Sequence, residues 1–489
     1  MLCEEPARVE FLPPNPAHDD AAPFSPKDDL ARILALSGTD QCPLYLSRFS
    51  TYTPPDKMRW ACCSERWQQS AISRLRHETC DGRIVSVPRL LSALHGRTLS
   101  LVGDSTMNQM FDMLGARLDA AGEVSEITRR RAEHNLEARH YAQDAVCSER
   151  TPAGDRPRMG GSTARFRLEP GARRCSLLSC NGTSGKKVFE ALCRQLPDEE
   201  IWVRRANATI RFYRTDGPFA KPKAGACGTA AAFSRRIAAA ASGADILVAN
   251  VGMHYNRPAP ASRAASWRAK NEPDAAHSPT AYESAGKTLL DRLEEAAEGG
   301  ALALAMESFV QHFFTDDGSG DYAHRDPAEE RREQSRVGRL KAQGGPWEGC
   351  RCGQLGQSLA GRPDWRNERL AAWLQARSEQ AGGAGRPRVA LLPLAALLRP
   401  MHDLHQTRRQ CDSPASGGQF RDCLHICMHP RTWEVLTEPL FRRVVNWAHA
   451  RGWGGPAGAA LALPPQPKSK GRAKRRGAFG LRSKKAFEV

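Results

Sequence analysis

Long apolar runs are missing from this sequence. None of its 489 residues lie in a stretch approaching the ~18 to 20 apolar residues of a membrane-spanning helix. The longest candidates, Ile246 to Val251 and Val389 to Leu398, have the length of buried strands. The first residues, MLCEEPARVEFLPPNP, carry acids and prolines where a signal peptide has a basic region and an apolar stretch, so no leader is expected from them. Metal-type cysteine spacing is also missing. Cys62/Cys63, Cys175/Cys180, Cys350/Cys352 and Cys423/Cys427 do not make a CxxC pair of pairs. There is no internal repeat of fixed period. The basic run from Lys468 to Lys485 lacks aromatic interleaving and reads first as a disordered solvated extension, with nucleic-acid binding through this tail as the alternative.

What is present is ordinary globular material, with 40% hydrophobic and 26% charged residues. The 41 glycines and 33 prolines point to many loops. The net charge of +17 is uneven, because after Gln466 nine Lys or Arg stand against one Glu. The remainder suits an anionic polysaccharide or serves solubility alone. Fifteen cysteines are many for a reduced cytosolic chain and typical of one with disulfides. The sequons at Asn181 and Asn207 suit a luminal protein, although such triplets are common by chance.

Residues 1–38 are rich in Pro, Asp and Ala without apolar periodicity and are expected to be mobile. Residues 39–455 are read as one domain and 456–489 as a disordered basic tail. Within the domain helices and short apolar strands alternate. A helix around Val87 to Leu94 precedes the strand Thr98 to Val102, which stops at Gly103, and an apolar spacing resumes through Met110, Met113, Leu114 and Leu118. Helix Phe233 to Ala241 leads to strand Ile246 to Asn250, and helix Thr288 to Ala297 to strand Ala301 to Met306. Helix Asn367 to Ala376, with Asn367 as its cap, leads to strand Arg388 to Leu392. This predicts an α/β fold, a parallel sheet covered by helices on both faces. Polar insertions at Glu123 to Gly171, Arg257 to Tyr282 and Thr315 to Gly349 are expected to be surface loops.

In such sheets ligands bind beyond the carboxyl ends of the strands. The residues found there are Gly103-Asp104-Ser105, Asn250 to His254, Glu307 to His312 and, further on, Leu397 to Asp403. Near the end lies Asp422-Cys423-Leu424-His425. A serine hydroxyl needs a base within hydrogen-bond reach and a group that orients the base. His425 and Asp422, three residues apart, can face one pocket. Ser105 at a helix start has an N–H suited to a developing oxyanion, and Asn250 can supply a second donor. Gly-Asp-Ser alone is a common turn, and Asp-x-x-His alone is no more specific. Together, at opposite ends of one α/β pattern, they match the SGNH hydrolase arrangement.

Several segments then resemble the trichome-birefringence-like, or PC-esterase, family within that superfamily. Leu101 to Ser105 followed by Gln109 resembles its GDS block, and ILVANVGMHY (Ile246 to Tyr255) its strand ending in Asn-x-Gly. Glu307 to Phe313 with Gly344 to Cys350 is similar to its Ser-x-x-His-Phe segment and the loop that follows. Arg399 to His405 resembles its Arg-x-Asp-x-His segment, and Asp422 to Cys427 with Trp433 its DCxHxC block. The family's Arg after the GDS serine, its Trp-rich Asn-x-Gly end and its membrane anchor are not seen here. The resemblance covers roughly Cys42 to Ala448. It implies an SGNH-like, flavodoxin-like sheet with long insertions and O-acetyl transfer to polysaccharide. It gives Ser105 as nucleophile, His425 as base and Asp422 as its partner, with Gly103, Asp104, Asn250 and His312 around oxyanion and substrate. It also implies Golgi or secretory residence, no bound cofactor or metal, an acetyl donor as cosubstrate, and no nucleic-acid partner. The alternatives are a carbohydrate esterase with the same triad and a noncatalytic glycan-binding protein. Cys423 and Cys427 are expected to rigidify the triad loop through disulfides rather than to bind metal.

Overall fold

The structure is a computed structural model that describes residues 2, 8–11, 68, 71–72, 74–79, 82–121, 126–129, 197–215, 230–257, 278–315, 317–343, 351–355, 364–380, 388–405 and 422–453. Strand β1 (Arg8–Phe11) pairs antiparallel with β2 (Leu75–Glu78). The backbone N–H of Leu2 donates to Asn446 Oδ1 at 2.7 Å, and Leu2 itself is buried. These residues fall in the 1–38 segment expected to be mobile and correct that expectation where they stand. The RVEF alternation is a strand period only four residues long, too short to register as a pattern.

The main elements are α1 (Val87–Ala93), β3 (Thr98–Gly103), α2 (Ser105–Ala120), β4 (Glu126–Arg129), β5 (Glu199–Val203), β6 (Ala208–Arg214), α3 (Ala230–Ala241) and β7 (Ile246–Ala249). After them come α4 (Pro279–Glu298), β8 (Leu302–Met306), α5 (Pro327–Ala342), α6 (Trp365–Gln380), β9 (Val389–Leu392), α7 (Ala395–Leu398) and α8 (Pro430–Ala450). The sheet runs β4-β5-β6-β3-β7-β8-β9. From β6 to β9 all neighbours are parallel, whereas β4 and β5 add an antiparallel edge. Counted along the chain, the parallel strands stand in the order second, first, third, fourth, fifth, a doubly wound arrangement. The expectation of an α/β fold with a mostly parallel sheet holds. The antiparallel pair was not foreseen, nor was β6, whose Asn207 turn takes a left-handed φ of 46°.

Alternation along each central strand feeds two cores. Leu99, Leu101, Ile246, Val248, Leu304 and Met306 face one side, where α1, α2 and α8 pack through residues such as Met110, Phe111, Leu114 and Phe441. Val102, Leu247, Ala249, Ala303 and Ala305 face the other, against Phe233 and Ile237 of α3, Leu289 and Leu293 of α4 and Leu370 of α6. Each fully buried large apolar side chain contributes roughly 1.5 to 3 kcal/mol, so this two-faced burial fixes the register of the strand ends.

Two further expectations are corrected. Residues 315–349 were expected to be loop, but Pro327–Ala342 is a helix. Its Glu, Arg, Gln and Ala are good helix formers, and Arg332–Glu329 and Arg336–Glu333 pair one turn apart. Its low apolar content hid it. Asn367 does not cap α6. Asp364 does, its Oδ1 accepting from the Arg366 N–H at 2.9 Å, and Asn367 lies inside the helix.

Candidate active site

The first parallel strand, β3, passes to β6 on one side and to β7 on the other, so the row reverses direction between β3 and β7. A crevice opens at such a switch point beyond the carboxyl ends. Ser105 follows β3 and Asn250 follows β7, so both stand at its rim.

The turn before α2 is tightly made. A Cβ on Gly103 would lie 1.8 Å from Asn250 Oδ1 and 2.8 Å from Met107 Cβ, so only glycine lets the two strand ends approach. The Asp104 N–H donates to Asn250 Oδ1 at 3.3 Å, and Asn250 Nδ2 donates to Thr106 Oγ1 at 2.9 Å. Asp104 Oδ1 accepts from both the N–H and the hydroxyl of Thr106, at 2.9 and 2.6 Å. Because the Thr106 hydroxyl donates to Asp104, it must accept from Asn250, which sets the orientation of that amide. Gly103, Asp104 and Asn250 are therefore buried braces of the turn. Asn250 has one amide hydrogen committed to Thr106. Ser105, the first residue of α2, is left partly exposed with a backbone N–H that has no intrahelical acceptor.

Asp422 and His425 approach from the segment before α8. Ser105 Oγ lies 2.7 Å from His425 Nε2, and His425 Nδ1 lies 2.9 Å from both carboxylate oxygens of Asp422. An ionised carboxylate only accepts, so Nδ1 carries the proton and Nε2 presents its lone pair to the serine hydroxyl. His425 keeps 19% of its side chain exposed against 8% for Asp422, so the imidazole stands nearer solvent with the carboxylate behind it. The three residues predicted to form a nucleophile, base and acid are thus brought together in that geometry.

Four attachments hold this segment. Cys423 forms a disulfide with Cys352. The Gln109 side chain, one turn along α2 from Ser105, accepts from the Ile426 N–H at 3.0 Å and donates to the Ile426 carbonyl. His405 bridges to Ile426 through its backbone. The Cys423 carbonyl accepts from the His312 N–H at 2.9 Å. At the start of α8, the His429 and Thr432 side chains each accept from the other's end of the turn, a capping box with Pro430 in the first position.

His312 was expected beside the substrate, and that expectation is corrected. It is fully buried, with Nε2 at 2.9 Å from the Arg399 carbonyl and Nδ1 at 2.7 Å from His405 Nε2. His405 Nδ1 in turn lies 3.2 Å from the carbonyl of His425. The chain has three contacts between two carbonyl ends, and two neutral rings supply only two protons. The two shortest contacts are made by protons on both Nε2 atoms, and the longest is left without one. Burial keeps the pair neutral. Loss of hydration pushes His405 down to about 3, against the pull of Asp422, and holds His312 well below its usual value.

Sequence reasoning missed Met253, whose sulfur lies 3.2 Å from Ser105 Oγ. Its place three residues after Asn250, beyond β7, was the available signal. It also missed the bracing roles of Cys352, Gln311 and His405, which depend on contacts between distant segments. Glu307 was noted at a strand end. Its carboxylate accepts from the N–H groups of Leu394 and Ala395 at 2.7 and 2.6 Å, so it supports α7. Among the described residues no group of three His, Cys, Asp or Glu is arranged to hold a metal ion, and no helix is long and apolar enough to cross a membrane. Neither a protein-family model nor a curated protein matches the chain.

Proposed function

We propose that this protein is an SGNH-type serine acyltransferase that moves an acetyl group from a donor to a polysaccharide hydroxyl. The observation that carries the reading is the 2.7 Å contact of Ser105 Oγ with His425 Nε2, backed by Asp422 at 2.9 Å. The doubly wound strand order, with the nucleophile after its first strand and Asp-x-x-His ahead of the last helix, supports the SGNH assignment.

Ser105 Oγ attacks the acetyl carbonyl carbon while its proton passes to His425 Nε2. Asp422 holds the imidazole tautomer and stabilises the imidazolium. Negative charge on the carbonyl oxygen meets the Ser105 N–H at the α2 terminus and the second amide hydrogen of Asn250. The donor's leaving group departs with the proton from His425, leaving acetyl-Ser105. A sugar hydroxyl then gives its proton to His425 and attacks the acyl carbon, and the Ser105 oxygen leaves and recovers the proton. Attack by water in the second step would make the same site an esterase. Residence in a secretory compartment fits the Cys352–Cys423 disulfide, which persists in oxidising surroundings.

The test is labelling with a serine-reactive fluorophosphonate, followed by product analysis with an acetyl ester in the presence and absence of oligosaccharide. Label on Ser105 and acetylated oligosaccharide are the expected results. Label elsewhere removes the nucleophile assignment, and acetate as sole product moves the reading to esterase.

A further inference from the structure

A second concavity opens on the same edge of the sheet. It has a volume of about 300 Å³, at the lower end of ligand-binding clefts, and its walls include Arg257, Asp317, Asp321, Trp365, Glu368 and Arg399. The walls come from the loops after β7 and β8, the first turn of α6 and the residue after α7. The cleft is tied to the nucleophile by one buried side chain. Gln311 Nε2 donates to the carbonyl of Met253 at 3.4 Å, and Gln311 Oε1 accepts from the N–H of Tyr322, next in the chain to Asp321, at 2.8 Å. The Met253 sulfur lies 3.2 Å from Ser105 Oγ.

The lining selects among ligand classes. An acyl chain is excluded, because charged and polar side chains make up most of the walls. A cation is disfavoured, since the carboxylates are not grouped as ligands and several are already engaged. Asp364 is taken by Arg366, and Asp317 by Ser319 and His324. An anionic ligand would meet Asp317, Asp321, Asp364 and Glu368 at close range. Among the described residues the Arg257 guanidinium and the Glu368 carboxylate make no side-chain hydrogen bond, and each has an opposite charge on the same walls, Asp364 for Arg257 and Arg399 for Glu368. Arg257 also lies over the Trp365 ring, 5.8 Å from its centroid. Trp365 is 6% exposed, and its indole N–H has no acceptor among the described residues. A guanidinium with five donors and an acceptor-only carboxylate on the same walls suit a ring that carries hydroxyls all round, each hydroxyl both donating and accepting.

We propose that this cleft is the acceptor subsite and that it binds a neutral polyhydroxylated ring, with Arg257 donating to and Glu368 accepting from its hydroxyls. The assignment to an acceptor rests on the acyl-transfer reading, whereas the binding itself does not. It reverses the inference from net charge, because a chain that is basic overall presents an acid-rich wall where the sugar would sit.

Calorimetric titration of the whole protein with neutral gluco-, xylo-, manno- and galacto-oligosaccharides, beside an oligogalacturonate of equal length, tests the proposal. At least one neutral oligomer should bind, the oligogalacturonate at least tenfold more weakly. Glu368→Gln and Arg257→Gln should each weaken the neutral ligand about tenfold, with melting temperatures near that of the parent. Absence of binding by every neutral oligomer, tighter binding of the oligogalacturonate, or full affinity in both variants would overturn the proposal. If a variant fails to fold, the comparison of neutral and acidic ligands on the parent protein decides. Fluorophosphonate labelling of Ser105 is scored separately. Labelling without neutral-sugar binding removes the cleft assignment alone, and sugar binding without labelling removes the acyl-transfer reading alone.

Discussion

The two halves of the candidate site are built in different ways. The Ser105 turn is local. Gly103, Asp104, Ser105 and Thr106 are consecutive, and a single partner from the neighbouring strand, Asn250, completes the bracing. The Asp422–His425 segment is held by groups from far along the chain, namely Gln109 on α2, Cys352, His312 and His405. A nucleophile needs a fixed place at a helix terminus, and a short turn between strand and helix supplies one. A base must meet that place from outside the strand-helix unit, so its loop depends on tertiary ties.

The sharpest way to break this comparison is to remove the chemistry at both ends. Ser105→Ala and His425→Ala should each lower ester turnover by roughly 10⁴-fold or more, and the double variant should be little worse than either. Losses that multiply in steady-state rates would mean that the two halves act separately. Asp422→Asn should cost about 10²- to 10⁴-fold, since the base remains but loses its orienting acceptor.

Stability effects come next. Cys352→Ser frees Cys423, next to Asp422, and should lower stability by about 2 to 4 kcal/mol in urea melts, with turnover falling alongside. A stable and fully active variant would show that the segment is held without this disulfide, through its other ties, among them Gln109, His405 and His312. On the other side, Gly103→Ala forces a methyl group onto Asn250 Oδ1. It should cost about 1 to 3 kcal/mol as an overpacked buried site, measured in the same melts. No change there would mean that the turn is looser than its contacts require.

The smallest expected effect is acid sensitivity concentrated in the second half. Burial lowers His312 well below its ordinary value, His405 to about 3 and His429 to about 4. The unfolded chain binds protons at these histidines as pH falls through about 6.5, while the folded chain does not, so stability is full above that pH and is lost below it. The melting temperature should fall between pH 7 and pH 4, and His405→Gln should flatten that slope. A slope unchanged by the substitution would assign the acid sensitivity to other groups.

Much of this was readable in the sequence. The strands that carry the site are short apolar runs that stop at or just before Gly103, Asn250, Glu307 and Pro393, so Thr98–Gly103, Ile246–Ala249, Leu302–Met306 and Val389–Leu392 were found within a residue or two of their bounds. Helix α5 escaped because half of it is charged and few of its residues are apolar, and β5 and β6 because their turn chemistry rests on a left-handed Asn207. Asn367 looked like a cap by residue type. Instead its side-chain amide bonds both the N–H and the carbonyl of Ser308, a contact across 59 positions. His312 follows a strand end in the way a pocket residue would, and nothing in the order of residues marks it as one of a buried pair.

The sequence by itself determined the alternation of strand and helix, hence an α/β fold with a mostly parallel sheet, and it determined the residue types standing beyond the strand ends. Those are consequences of local periodicity and of Gly, Asn and Ser at turns. Tertiary structure decided which of those residues face the crevice. Burial of Gly103, Asp104 and His312 made supports of three residues of functional type, while Ser105 and His425 kept an exposed edge. The physical reason is that exposure and hydrogen-bond partnership depend on what packs from the far end of the chain. The carbonyls of Arg399 and Ile426, the Cys352 sulfur and the Gln109 amide are invisible as neighbours until the sheet has closed around them.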